Sequence, residues 1–240
     1  MFTESVILSL YFETPLHAGA GTALGAIDLP VVRERTTQYP TVHASSVKGA
    51  LRSSMSKADE ETLAKLFGRE DAGGGLSVGD ARLLLFPVRA SAAPFLYLTC
   101  PAVLSRLKRD LSRTLGIEVP AFPSPKSDEL IHSAAWKHGA DAVAAEDVVL
   151  KPKAGLNAAA ILKLIPNEGA GYDEFAKDVE ASIGVVSDDV FAFLIRTATE
   201  VQPRIKIDAK SGTTAGKDGN VFFEELVPQD ALFYVPVASM

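Results

Sequence analysis

The chain has 240 residues, 47% of them hydrophobic, so it is long enough to bury one substantial core and is expected to form a single domain. Its 24 basic and 30 acidic residues give a formal net charge of -6, which argues against a free nucleic-acid binder, because such proteins are usually basic overall. The single cysteine, Cys100, excludes an internal disulfide, and the short apolar runs predict a cytoplasmic protein that does not enter a membrane.

The first predicted element is a strand over residues 4–13, which are rich in β-formers and alternate polar and apolar side chains in their second half. The following stretch, LHAGAGTALGAIDLP, is predicted to be a loop. Its glycines, Gly19, Gly21 and Gly25, allow a positive φ or a close approach of the backbone to a ligand.

A helix is predicted over residues 45–57, because two serines suited to an N-cap precede apolar residues with helical spacing. The next predicted elements are a helix at 59–67, strands at 81–88 and 94–100, and an amphipathic helix at 103–115. Basic residues interrupt the apolar positions of the last helix, and its basic face would be solvated or would touch phosphate.

The second half of the chain is less regular. Residues 118–170 lack sustained periodicity and are interpreted as insertions on the core, and residues 173–183 are predicted to be helical. Residues 190–228 are predicted to form two strands joined by a polar, glycine-rich tip, which makes a long exposed hairpin. This order of elements predicts an α+β fold with a ferredoxin-like core.

The segment 17–52 is the most informative for function, because it joins a glycine-rich loop to a helix N-terminus. Unpaired backbone N–H groups and the helix dipole favour an anion there, and Lys48 and Arg52 add two cations one turn apart. The residues alone leave a second interpretation open. In that interpretation the serines only cap the helix, the glycines only form turns and the cations are a solvated face.

Several separate motifs resemble one known family. They are PLHAGAG, IDLPVVRER, YPTVHASSVKGALR, GDARLLLFPVRA followed by LYLTCPAVLSRL, and FFEELVPQDALFYVPV. In this order they resemble the RAMP superfamily of CRISPR proteins, and more narrowly they are similar to the backbone subunit of the type III-B (Cmr) effector complex. The resemblance spans most of the chain, with residues 118–170 matching least, and the middle of the chain is shorter than is typical of that family.

The resemblance implies an RRM-like palm over residues 1–117 and 172–240, insertions at 118–171 and a β-hairpin thumb at 196–224. It also implies a helical filament in which copies of the chain join other subunits of the effector complex. CRISPR guide RNA would run along the palms. Each thumb would displace a base, so that complementary single-stranded target RNA is cut at regular intervals.

The family's catalytic aspartate falls on Asp28, which the resemblance therefore implies to be the catalytic residue. A carboxylate there would act as general base or as ligand of a divalent ion, Mg²⁺ or Mn²⁺. Implied RNA-binding residues are His17, Arg33, Arg35, Ser45, Ser46, Lys48, Gly49, Arg52, Arg204 and Lys206. Val201 and Ile205 are candidate base wedges. Glu224 and Glu225 occupy the family's C-terminal acidic position, where they would assist at the site or be solvated.

Three other functions are considered. The chain could be a non-catalytic guide-binding scaffold of a type III-A or III-B complex, with Asp28 only a turn residue before Leu29 and Pro30. His17 and His43 suggest instead a guide-processing ribonuclease that acts alone. A small-molecule enzyme could use the glycine-rich loop for a phosphorylated ligand, but the glycine spacing matches neither a Rossmann nor a P-loop pattern.

Overall fold

The computed structural model describes residues 4–167, 169, 171–172, 174–205, 207, 211–213 and 221–240. The strands in these residues are β1 (Glu4–Tyr11), β2 (Thr41–Val42), β3 (Leu76–Val78), β4 (Ala81–Arg89), β5 (Phe95–Thr99), β6 (Glu129–Ser133), β7 (Val143–Ala145), β8 (Val148–Leu156), β9 (Ile183–Val185), β10 (Glu200–Ile205), β11 (Val221–Leu226) and β12 (Leu232–Ser239). The helices are α1 (Ala44–Ser54), α2 (Glu60–Phe67), α3 (Pro101–Leu115), α4 (Ala159–Leu162), α5 (Phe175–Ser182) and α6 (Asp188–Thr197). The predicted α+β class is confirmed.

One large sheet organises the chain, with strand order β1-β12-β4-β5-β9-β6-β8-β7, β2 beside β4 and β3 beside β12. Its pairings are antiparallel except for β5 with β9 and β6 with β8. The C-terminal strand β12 lies between β1 and β4, and its residues Phe233, Tyr234 and Val235 are fully buried. Segments from opposite parts of the sequence therefore pair with each other, with β1 at the edge of the sheet and β12 in the core.

The local helix predictions are confirmed to within a few residues for α1, α2, α3 and α5. The amphipathic helix α3 packs on β1 and β4 through its buried apolar stripe of Val103, Leu104, Leu107 and Leu111. Burial of these four side chains leaves the basic residues of α3 on its other faces. Within the described part of the chain, no helix is both long and apolar enough to cross a bilayer.

The prediction that residues 190–228 form only a strand pair was wrong at its start. Residues 188–197 form α6, and the hairpin of β10 and β11 begins at Glu200. Ser187 accepts a hydrogen bond from the Val190 N–H, and two aspartates occupy the first turn, which favours a helix start. Apolar β-formers suggested a strand, but Phe191, Leu194 and Ile195 bury one helical face.

The segment 118–170, interpreted from sequence as insertions, contributes strands to the main sheet. β6 pairs with β9 and with β8, and β7 pairs with β8. Leu130, Val143 and Leu150 of these strands are fully buried, which explains why short apolar segments occur there. The division of the chain into palm, insertion and thumb stays a prediction.

Candidate functional site

The glycine-rich loop is folded back on itself and fastened to β11. Gly19 bridges Val31, and the Ala20 N–H donates to the Pro30 carbonyl at 2.9 Å. Leu29 then pairs in parallel with Glu224, because its N–H donates to the Phe223 carbonyl and its carbonyl accepts from the Glu225 N–H. This loop, residues 16–30, which we call the Asp28 loop, therefore lies against the base of the hairpin.

Asp28 is held by this arrangement at a partly exposed position. Its Oδ2 accepts a hydrogen bond from the Phe223 backbone N–H at 2.7 Å, and its carbonyl accepts from the Ala23 N–H. Its Oδ1 has no hydrogen-bond partner among the residues that the structure describes. The carboxylate is thus oriented by β11 while one oxygen stays available to a ligand.

His17 is bound to the same strand, β11, at Glu225, two residues after Phe223. Its Nδ1 donates to the Glu225 carbonyl at 2.8 Å, so that in the neutral ring Nε2 is an acceptor. Nε2 lies 3.8 Å from Oε1 of Glu224, and Glu224 also accepts a hydrogen bond from Arg204 at 2.9 Å. Asp28, His17 and Arg204 are therefore gathered by three successive residues of β11, at positions 223–225.

Glu225 has a structural position that the sequence did not reveal. It is only 4% exposed, and it accepts hydrogen bonds from the Val31 N–H at 3.0 Å, the Thr199 hydroxyl at 2.9 Å and the Arg33 guanidinium at 2.5 Å. Burial alone would raise the pKa of Glu225, but these hydrogen bonds and the charge of Arg33 hold it below its usual range. The expectation of a solvated Glu225 was wrong.

Arg33, predicted to contact RNA, is committed to the inside of the molecule. Besides Glu225, its guanidinium donates to the carbonyls of Gln38 and Ile195 at 2.9 and 3.2 Å. Arg33 and Glu225 together join the loop, α6 and the hairpin. Arg35, by contrast, is exposed.

A cleft of about 660 Å³ opens between β1, residues 16–19 and α1. Its walls are mostly apolar, and the side chains with polar atoms on its rim include His17, His43 and Ser46. The face of α1 that lines it repeats with helical spacing at His43, Ser46, Val47, Ala50, Leu51 and Ser54. The cleft therefore lies between the start of the glycine-rich loop and α1, the helix whose N-terminus the sequence predicted to bind an anion.

The N-terminus of α1 differs from the prediction of a serine cap. The helix begins at Ala44, the N-cap residue His43 makes no side-chain capping bond, and the Ala44 N–H donates to Asp80 Oδ1 at 2.7 Å. Ser45 and Ser46 lie within the first turn and are exposed. Because Asp80 already places a carboxylate at this helix end, the end attracts a phosphate less than the sequence suggested.

Lys48 and Arg52 lie on a different side of α1 from the cleft. Lys48 donates to the Leu76 carbonyl at 2.9 Å, and Arg52 donates to the Gly68 carbonyl and to Glu60. They fasten α1 to β3 and α2, while Gly49 is exposed and has open space above it. The structure thus divides the predicted RNA-binding residues of α1 between two faces, and their contact with RNA stays a prediction.

The hairpin presents apolar side chains to solvent. Val201, Ile205, Val221 and Phe223 are each at least 40% exposed, and cross-strand pairing joins Ile205 to Val221. Arg204 is bound to Glu224, and Lys206 lies outside the described residues. Both candidate wedge residues are therefore accessible.

Replacing Gly19 by alanine should disturb His17, because the new Cβ would lie 2.8 Å from His17 Nε2. The ring is held through Nδ1, so we expect the overpacking to cost about 1 to 3 kcal/mol of stability in urea unfolding. Gly25→Ala is a matched control in the same loop, since a Cβ there meets no atom within 4 Å. Equal stability of the two variants would contradict the crowding.

The described residues offer few ligands for a metal ion. Within the described residues, no group of three His, Cys, Asp or Glu side chains is placed to hold one. Mg²⁺, however, often takes only one or two carboxylates and completes its shell with water and substrate phosphates. Oδ1 of Asp28 fits a site in which one protein carboxylate holds the ion, and it does not fit a site built from several protein ligands.

Comparisons with known proteins agree with one another. A family model described as the RAMP superfamily matches residues 9–236. A protein from Pyrococcus furiosus named CRISPR system Cmr endoribonuclease Cmr4 is 35% identical, over 96% of this chain and 80% of that protein. The crystal structure of oligomeric Cmr4 from Pyrococcus furiosus superposes with a TM-score of 0.75 at 30% identity, over 99% of this chain and 82% of that one. A chain of the type III-B Cmr-beta complex bound to cognate target RNA, 21% identical with a TM-score of 0.74 over 99% of this chain and 85% of that one, shares the fold.

Proposed function

This chain belongs to the RAMP superfamily and lies in the family of the Cmr4 proteins, and on that premise we propose that it is the repeating backbone subunit of a type III-B CRISPR ribonucleoprotein. In this role it binds guide RNA together with other copies of itself and further subunits, and it cuts complementary target RNA at regular intervals. The name endoribonuclease carried by the Pyrococcus relative supports RNA cleavage, and the oligomer in the related crystal structure supports self-association.

The observation that carries the cleavage proposal is the position of Asp28. The hairpin backbone orients it through Oδ2, and its Oδ1 has no hydrogen bond to any described residue. His17 is bound to the same strand, β11, and lies beside Glu224 of that strand. A carboxylate fixed in this way is preorganised for one approach of a ligand. A purely structural turn residue would need only the hydrogen bond made by Oδ2, whereas catalysis would use the second oxygen, Oδ1.

The chemistry proposed is attack by the RNA 2′-hydroxyl on the adjacent phosphate. Asp28 accepts the hydroxyl proton, the bond from the 2′-oxygen to phosphorus forms, and the bond to the 5′-oxygen breaks as that oxygen takes a proton from water. The products are a 2′,3′-cyclic phosphate and a 5′-hydroxyl. General acid-base help of this kind is typically worth about 10² to 10⁴-fold.

Cutting also needs the attacking and leaving oxygens in line, which a continuous A-form duplex forbids. The apolar side chains of the hairpin supply a wedge, because Val201 and Ile205 are half exposed on β10, the strand that pairs with β11, to which the Asp28 loop is bound. Displacing one base frees the flanking sugar to rotate. We place the hairpin in the target duplex for this reason.

A divalent ion, Mg²⁺ or Mn²⁺, is proposed as the cofactor of cutting. In place of taking the proton itself, Asp28 would then be the protein ligand of the ion, and the ion when bound would neutralise charge on the phosphate. The remaining ligands would come from RNA and water.

Guide RNA is proposed to occupy the cleft between the glycine loop and α1. Its apolar walls suit bases or sugars, and Ser46 and His17 offer hydrogen-bonding groups at its rim. The exposed Ser45 and Gly49, the remaining donors of Lys48, and the part of Arg52 left in solvent extend the contact along the other side of the helix. Sequence specificity comes from base pairing, so only backbone contacts are required.

A non-catalytic scaffold is the second candidate, and one observation favours it. Oδ2 of Asp28 pairs with a backbone N–H, as a purely structural turn residue does. The scaffold would hold guide RNA in the same cleft and leave cutting to another subunit.

The test is cleavage of a labelled RNA complementary to the guide by the co-purified complex, with Mg²⁺ and with a chelator. Evenly spaced products that disappear with the chelator are expected. Guide RNA bound without any cutting would support the scaffold function instead. An assembly that carries no RNA would refute the proposed function. Equal cutting with and without chelator would refute the metal alone.

A further inference from the structure

Helix α3 carries a group of cations that no side chain in the described part of the fold neutralises. Lys108, Arg109 and Arg113, together with Arg35 from the adjacent loop, have no ion pair or hydrogen bond from their side chains to any described residue. Their neighbours Arg106 and Arg82 are instead paired, with Glu34 and Asp110 respectively. The unpaired cations therefore have no role in holding the described part of the chain together.

Arg35, Arg109 and Arg113 line a groove, which we call the α3 groove. It has a volume of about 660 Å³ and is lined by six arginines and three carboxylates; because Glu225, outside the lining, is paired with Arg33, the local excess is +2 in a chain whose net charge is -6. A smaller cleft of about 420 Å³ adjoins it, lined by Ser105, Lys108, Arg109, Ser112 and Arg113. Arg109 and Arg113 line both, so the basic surface continues along the helix.

The α3 groove also connects to the cleft beside α1. His43, the N-cap residue of α1, lines both of them. A polymer bound in the mostly apolar α1 cleft would therefore pass the exposed side chain of His43 and then meet the arginines of the α3 groove. Arg109 and Arg113 are one helical turn apart, about 6 Å along the axis.

We propose that the α3 groove is a second RNA-binding surface, which takes the phosphates of the same strand where it leaves the α1 cleft. This inference rests on the proposed function. Guanidinium groups and serine hydroxyls are the donors that phosphate oxygens prefer, and an excess of positive charge along a groove is what a phosphate backbone requires. The centre of a protein interface is instead depleted of charge, which makes an acidic face of a second copy the weaker occupant.

The test is the salt dependence of binding of a labelled, mixed-sequence single-stranded RNA to the full-length chain. Losing two phosphate contacts in Arg109→Gln/Arg113→Gln should reduce the slope of log affinity against log salt by about 1.4, which corresponds to roughly 10-fold weaker binding near physiological salt. Arg109→Lys/Arg113→Lys should restore most of the slope, because it keeps the charge.

Lys137→Gln/Lys163→Gln is the matched control, since it removes two exposed cations outside both clefts and leaves the slope unchanged. A wild-type slope in Arg109→Gln/Arg113→Gln overturns the inference while guide binding and cutting remain intact. A change in the mass of the assembly with an unchanged slope also overturns it, and assigns the groove to a protein neighbour. Failure of the wild-type chain to bind RNA at any salt concentration overturns this inference, whereas the proposed function is refuted only if the co-purified assembly also carries no RNA.

Discussion

Asp28→Asn is expected to slow cutting of guide-matched RNA by about 10² to 10⁴-fold while leaving guide and target binding nearly unchanged. Asparagine keeps an oxygen that can accept the Phe223 N–H, so the loop stays attached to β11, but the side chain can no longer take a proton or carry charge to a metal ion. The measurement is single-turnover cleavage of a labelled target by the assembled complex, with target affinity determined separately.

Asp59→Asn is the matched control for this substitution. Asp59 also accepts a hydrogen bond from a backbone N–H, that of Thr62 at the start of α2, but it lies on an exposed helix end away from the loop. Its replacement should leave the cleavage rate unchanged. Wild-type cutting by Asp28→Asn would refute the catalytic assignment and support the scaffold.

Glu225→Ala should have the largest effect on stability, about 3 to 5 kcal/mol in the free energy of unfolding. The substitution removes three hydrogen bonds and leaves the Arg33 guanidinium, whose side chain is only 16% exposed, without its carboxylate partner. The loss should be read from urea unfolding, and it should accompany loosening of the Asp28 loop, because the Val31 N–H is bound by the same carboxylate.

Glu224→Ala tests whether this effect is specific. Glu224 is the next residue in the strand, and its more exposed pair with Arg204 is worth at most about 1 kcal/mol. A double-mutant cycle of Glu225→Ala with Arg33→Ala should show strong coupling. Equal losses from the two glutamate substitutions would contradict a specific stabilising role of the Arg33–Glu225 pair.

The pH dependence follows from the lowered pKa of Glu225. Since its pKa in the folded state lies below the ordinary value of 4.5, the carboxylate adds stability in full above that value, and the contribution is lost as the pH falls through the folded pKa. Between about pH 6 and pH 3, the free energy of unfolding should therefore decrease less in Glu225→Gln than in the wild type.

Local patterns in the sequence predicted most elements and the family. The spacing of apolar residues placed α3 and the strands β4 and β5, and separated motifs in the right order indicated the RAMP superfamily. These features depend on neighbours along the chain, which a single sequence contains. Helix α6 was not predicted, because its aromatic and branched residues also suit a strand. Ser187 followed by two aspartates is nevertheless a typical helix start.

The sequence by itself thus determined the fold class, the family and the choice of Asp28 as candidate. Only the tertiary structure decided what each side chain touches. It paired β12 with β1 from opposite ends of the chain, bound Asp28 to the Phe223 N–H, and buried Glu225 against Arg33. It also turned Lys48 and Arg52 away from the α1 cleft, and it left Lys108, Arg109 and Arg113 of α3 without an ion pair to any described residue. The physical reason is sequence separation: these contacts join residues that are far apart along the chain, so no local periodicity or propensity encodes them.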